Sequence, residues 1–197
     1  MRSASAMCRW PQEPVNVCHQ LTILDRSTCD RVMANVCRLW SAVCGINLVP
    51  SGNPSSANIL ITSNEDIDPS GNILGLTYLP CGMVSQASQL SEQLNPREGW
   101  TEDLLLRVML HETGHGIGLV HVPIGTGAVM EPDLTSLSTP QDSDVQAVVA
   151  RYGPPTAPTP IPVPTTPSAG GDVFGGGVLV NIQKAGTYLF KIEMVER

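Results

Sequence analysis

Aromatic residues are scarce. Three tryptophans, three tyrosines and two phenylalanines make up 4% of 197 residues. A packed interior must therefore be built mainly from aliphatic side chains. Basic residues are also few, 11 Lys and Arg against 18 Asp and Glu, giving a net charge of −7 at pH 7. That balance excludes neither a protein partner nor a small molecule, but it disfavours nucleic acid and anionic membrane surfaces. No apolar run approaches the roughly 18 residues of a membrane span. Met1 to Met7 lack the apolar stretch of a secretory signal, so either the protein stays inside or the sequence begins after a removed segment. No C-x-x-C pair is present, which argues against a zinc knuckle or a redox dithiol. Histidine is also scarce, with four in the chain.

Three of those four lie within eleven residues. The stretch from His111 to His121 reads H-E-T-G-H-G-I-G-L-V-H. A chance match to its five fixed positions is on the order of one in a million per start position. On a helix, His111 and His115 point the same way and can offer two imidazole nitrogens to one ion. Glu112 sits one step round, within reach of a water on that ion. Gly118 can adopt the left-handed conformation that ends a helix. The chain then turns back, and His121 supplies a third nitrogen. Three imidazoles with an open position describe a catalytic zinc site rather than a closed structural one. A zinc-containing binder would have no need of a general base, so Glu112 favours an enzyme.

The rest of the chain supplies a mixed fold. Arg9 to Leu24 read as extended, with Pro11 and Pro14 confining the early part to an edge. Asp25 or Ser27 can cap a helix on which Val32, Met33, Val36, Cys37, Leu39, Trp40 and Val43 recur at helical spacing. Gly45 is expected to stop it. Strands are expected at Ile46–Val49, Ala57–Thr62 and Ile73–Leu79, and a short edge strand within Cys81–Leu94. The polar loop 63–72 between them contains Asp66 and Asp68, possible calcium ligands, but it misses the EF-hand pattern and reads better as an ordinary turn.

Thr101 caps a helix that runs into the histidine motif, with Glu102 and Asp103 where the helix dipole favours acids. Gly114 and Gly116 each cost that helix about 1 kcal/mol relative to alanine. Bulk is expected to be unwelcome there because another backbone passes close. Pro140 fits the first turn of a last helix, which Gly153-Pro154 ends. Seven prolines between 154 and 167 make a semi-rigid linker. Beyond it, Val178–Gln183 and Thr187–Val195 alternate as a hairpin. That tail is a fragment of a larger module, a strand pair for oligomerisation, or a flap. The expected division is a tail at 1–8, a catalytic domain at 9–153, a linker at 154–168 and a β segment at 169–197.

The six cysteines are Cys8, Cys18, Cys29, Cys37, Cys44 and Cys81. On a helix over 26–44, Cys29 and Cys37 lie about 12 Å apart and Cys37 and Cys44 about 10 Å, too far to bridge. A three-bridge framework would pair these with Cys8, Cys18 and Cys81. Buried free thiols are the equal alternative.

With motif and flanks together, residues 9–153 resemble the metzincin zinc endopeptidases, and within them the matrixins. Met130 lies at the place of that superfamily's methionine turn, and Glu131-Pro132 follow it as a residue and a proline do in matrixins. Asp144 and Arg151-Tyr152-Gly153 resemble the matrixin third helix, where an aspartate braces the methionine turn. Gly99-Trp100-Thr101 also matches. The resemblance implies an α+β zincin fold: a twisted, mostly parallel sheet with an antiparallel edge strand, and three helices. It implies zinc on His111, His115 and His121, Glu112 as general base, and support from Met130, Pro132, Asp144 and Gly118. It further implies an extended protein or peptide substrate, secretion, and a loop after Met130 lining the pocket for the side chain that follows the cleaved bond.

Departures from the pattern are specific. No cysteine-switch propeptide precedes Arg9, so latency is not expected to be encoded here. The loop 63–72 lacks the histidines that hold a second, structural zinc in many animal matrixins, so that site is expected to be missing. Ser143 stands at the first of the paired aspartates. A non-catalytic binding or adhesion module and a zinc amidase acting on a non-protein substrate are the rival readings.

Overall fold

The computed structural model describes residues 8–11, 14–68, 72–81 and 88–155. Five strands and three α-helices occur among them: β1 (Val15–His19), α1 (Arg26–Val43), β2 (Leu48–Pro50), β3 (Ile59–Ser63), β4 (Gly75–Thr77), β5 (Leu90–Leu94), α2 (Glu102–Gly116) and α3 (Asp142–Tyr152). They build one mixed sheet in the order β2-β1-β3-β5-β4. Four strands run parallel, and β4 is antiparallel to β5. The architecture is α+β, compatible with a metzincin-like catalytic domain. The linker and hairpin expected beyond Pro155 lie outside the described residues, as do residues 82–87 of the expected edge strand.

Local chemistry explains the elements. Asp25 caps α1 by accepting from the Thr28 N–H at 3.0 Å, and the helix buries Val32, Met33, Val36, Cys37 and Trp40 along one stripe. Ile59 and Ile61 of β3 are fully buried, as β-branched residues in a central parallel strand should be. The helix α1 packs on β1 and β2, α2 packs on β4 and β5, and the two helices touch. Trp40 joins them, donating from Nε1 to the Leu110 carbonyl at 3.1 Å. It is the core anchor that its place in the α1 pattern predicts.

Several boundaries differ from the sequence reading. Among the described residues of the stretch Arg9–Leu24, Val15–His19 alone pairs as a strand. Among the described residues of 81–94, the strand β5 lies between β3 and β4 rather than at an edge, and the last strand of the sheet is β4. Strand order comes from which strand a distant segment can reach, which local composition does not encode. Gly45 does not end α1, because Cys44 already closes it in extended backbone. Gly45 instead lets the chain end of α3 approach: its N–H donates to the Gly153 carbonyl at 2.9 Å, and a Cβ there would lie 3.2 Å from the Pro154 carbonyl oxygen. Pro140 falls before α3, whose cap is Gln141. Asp68 spends its carboxylate on its own loop, Oδ2 accepting from the N–H groups of Asn72 and Ile73 at 2.5 and 2.9 Å. Side-chain bonds of this kind to nearby backbone N–H groups are ordinary turn chemistry.

Neither cysteine alternative holds alone. Cys8 and Cys81 form a disulfide, while Cys18, Cys29, Cys37 and Cys44 are buried free thiols. Burial pushes the Cys37 thiol up to about 12, which makes it unreactive.

Candidate metal centre

The helix α2 carries the first two histidines. Thr101 caps it, accepting from the Leu104 N–H at 3.2 Å. Its last turn is closed by Gly118 at φ +96°, a left-handed position that glycine tolerates. The chain then reverses toward His121. That turn is clamped from outside. Arg151 Nη1 donates to the Gly118 carbonyl and, at 2.7 Å, to the Cys8 carbonyl. Trp10 Nε1 donates to the Gly116 carbonyl at 2.9 Å, and the Tyr152 hydroxyl donates to the Ile117 carbonyl at 2.9 Å.

The three imidazoles converge. Their Nε2 atoms are 3.0 Å apart for His111 and His115, 3.1 Å for His115 and His121, and 3.2 Å for His111 and His121. His111 Nδ1 lies 2.7 Å from the Val129 carbonyl and His115 Nδ1 lies 2.8 Å from the Leu119 carbonyl. A carbonyl can only accept, so both Nδ1 atoms carry the proton and both Nε2 atoms present bare lone pairs. Bare nitrogens facing one another cannot satisfy each other. Four-coordinate zinc at about 2.0–2.1 Å per nitrogen would set its ligands roughly 3.3 Å apart, close to the spacing seen. The donor set and its geometry therefore fit a tetrahedral zinc ion.

Electrostatics agree. Burial holds His111 well below the ordinary histidine range and His115 down at about 4. His121 is lowered for the same reason. All three are neutral near pH 7, the form a metal requires.

Glu112 is fully buried. Its Oε2 accepts from the Thr77 hydroxyl at 2.6 Å, while its Oε1 has no hydrogen-bond partner among the described residues. Burial pushes this carboxyl up to about 8, against the lowering effect of Thr77. Gly75 faces it from β4, where a Cβ would come within 2.6 Å of Oε1. Opposite Thr77 in the ladder stands Glu92, also fully buried, with Oε2 accepting from the Thr113 hydroxyl at 3.2 Å. Burial, then the nearby Glu112, hold Glu92 well above the ordinary range. Two ties thus cross between sheet and helix, Thr77 to Glu112 and Thr113 to Glu92.

Met130 is buried, and its Sδ lies where a Cβ on Gly114 would stand. Gly116 faces Ile59, with a Cβ reaching to 3.1 Å of Cδ1. Side chains, not a passing backbone, make bulk unwelcome at both glycines. Asp144 accepts from the N–H groups of Val129, Met130 and Gln141 at 2.9, 3.2 and 2.9 Å. Pro132 is half-buried in the bend that follows.

Thr77 and Glu92 escaped the sequence reading, while Glu131 and Arg151 were named there only within the family resemblance and without these hydrogen-bonding roles.

No family model matches the chain. It is 29% identical over 157 residues to the interstitial collagenase of Bos taurus, covering 73% of this chain and 32% of that protein. The interstitial collagenase of Sus scrofa gives the same identity and coverage, and that of Equus caballus is 28% identical. The chain thus spans about a third of the length of the curated relatives it matches. It is distantly similar to collagenases, in keeping with a matrixin-like relationship, and it holds a trio of histidines arranged to bind a metal ion.

Proposed function

We propose that residues 9–153 form a zinc-dependent endopeptidase domain that hydrolyses internal peptide bonds, joined through the proline-rich linker 154–168 to the segment 169–197. The observation that carries this reading is the convergence of three Nε2 atoms within 3.2 Å of one another, two of them bare and in the same helix turn as a buried glutamate. His111, His115 and His121 hold the zinc. When bound, it lowers the pKa of a water toward neutrality and polarises the scissile carbonyl.

Glu112 accepts a proton from the attacking water and returns it to the leaving amine. Burial makes its carboxylate basic, and Thr77 occupies Oε2 while Oε1 has no hydrogen-bond partner among the described residues. Met130 floors the site, Asp144 braces the turn under it, Gly118 aims His121, and Pro132 shapes the wall beyond. Among the described residues β4 is the last strand of the sheet, and it packs on α2. An extended peptide can add there as a further strand. The Cys8–Cys81 disulfide supports an oxidising, extracellular setting. No helix among the described residues is long and apolar enough to cross a membrane.

Digestion of casein or a peptide library with and without a chelator tests the reading, together with zinc analysis. Cleavage that a chelator stops and zinc restores is the expected result. Stoichiometric zinc without any cleavage would favour the binding module instead. Glu112→Ala should retain zinc and lose turnover by about 100- to 10,000-fold. Full peptidase activity in that variant would remove Glu112 from the role of base.

A further inference from the structure

The three histidines are not held alike. His111 and His115 each donate from Nδ1 to a carbonyl, which fixes ring and tautomer. His121 Nδ1 meets no acceptor among the described residues, and its ring contacts are the other two imidazoles. It is also the one of the three that is only half-buried. Its placement must therefore come from the backbone on either side. Upstream lies the clamped turn at Gly118. Downstream lies the connection to Met130, which contains no helix or strand.

That connection is gathered by one side chain. Glu131 Oε2 accepts from the Gly125 N–H at 2.9 Å. Its Oε1 accepts from the Gly127 N–H at 2.6 Å and the Ala128 N–H at 3.4 Å, with the Thr126 hydroxyl at 3.3 Å. Gly125 and Gly127 sit at φ +87° and +69°, so the loop curls to aim its amides inward. The ends are then locked together, Val122 donating to the Met130 carbonyl at 2.9 Å. Glu131 is itself buried, so its charge is answered by these donors alone among the described residues.

We infer that Glu131 is a positioning residue for the metal centre: its carboxylate folds the loop 123–128 and thereby holds His121 at the shared focus. The inference rests on the zinc reading above. It makes the neighbour of the methionine turn a ligand-setting residue rather than filler between Met130 and Pro132.

The test is zinc affinity of the whole chain, measured by chelator competition, with the visible spectrum of the cobalt(II)-substituted protein as a second readout. Glu131→Ala should weaken zinc about tenfold or more, the range seen when groups supporting a ligand are removed. The cobalt bands should change with it. Glu131→Gln retains one acceptor oxygen but turns an amide NH2 toward a backbone donor. It should fall between, at roughly threefold. In a His121→Ala background, Glu131→Gln and Glu131→Ala should weaken zinc no further. Unchanged affinity and spectrum in both variants, with or without a lowered Tm, would overturn the inference. So would an undiminished effect in the His121→Ala background. If Glu131→Ala does not fold, Glu131→Gln carries the same comparison. A wild-type chain that binds no zinc would overturn the metal reading itself. Affinity is read without turnover, so loss of the peptidase reading alone is told apart.

Discussion

Residues 15–116 and residues 117–155 hold their backbones by different means. The first region contains the sheet, α1 and α2, and its order comes from apolar burial: Ile59, Ile61, Leu105, Val108 and Trp40 are all closed off from solvent. The second contains one helix, α3, and otherwise turns. There the work falls to two carboxylates, Asp144 and Glu131, that collect backbone N–H groups, and to four glycines at positive φ. The candidate metal centre straddles the two: His111 and His115 stand on the packed region and His121 on the hydrogen-bonded one. The contrast teaches that burial supplies rigidity over many residues, whereas directed bonds to a carboxylate shape a short loop that has no core of its own.

Ile59→Ala attacks the packed region and should have the largest effect, about 2–5 kcal/mol of stability. Urea unfolding should show a lower midpoint with one cooperative transition. A loss confined to local loosening would mean that the two regions unfold separately.

Glu112→Gln sharpens the comparison from the polar side. In the metal-free protein the folded state holds this carboxyl's pKa at about 8, above its ordinary value. Folded protein therefore binds more protons than unfolded protein between those values, and stability falls as pH rises through them. The amide removes that cost. At pH 8 without metal the variant should be more stable by on the order of 3 kcal/mol. Equal denaturation midpoints at pH 8 would show that water reaches the carboxylate.

Asp144→Ala strips three backbone donors of their acceptor. Roughly 1–3 kcal/mol should be lost. Hydrogen exchange should locate the loosening at 129–130 and the start of α3, with the sheet amides protected as before. Uniform deprotection would erase the distinction between the regions.

The smallest effect concerns acid. Bonds from Gly125 and then Gly127 and Ala128, set against burial, hold the Glu131 carboxyl below the ordinary glutamate range. Its contribution is present above the unfolded pKa and lost as pH falls through the lower folded value. Wild type and Glu131→Gln should therefore differ most near neutrality and converge in acid, measured as Tm. A constant gap would mean that the charge plays no part.

The sequence was most readable where periodicity or a motif spoke for itself. The stripe from Val32 to Val43 placed α1, and the histidine spacing placed three side chains that do meet. Thr101 and Asp25 announced their helices because capping is local. What stayed hidden depends on distant approach. Nothing near Glu92 signals that Thr113 lies above it, and nothing near Cys8 selects Cys81 over Cys18. Gly45 looked like a helix stop, although its need for a bare Cα comes from residues more than a hundred positions away. Asp144 was found only through resemblance, since an acid in the first turn of a helix is ordinary.

The disulfide described above has a consequence for how the chain matures. Cys8 must find a partner 73 residues away, while four competing thiols lie between them in sequence. Helix formation takes microseconds or less, whereas thiol oxidation takes seconds to hours. By the time an oxidant acts, α1 has already separated Cys29, Cys37 and Cys44 along its length, and collapse has sealed them with Cys18 in the interior. Correct pairing is thus a matter of timing: the competitors leave the race before it starts.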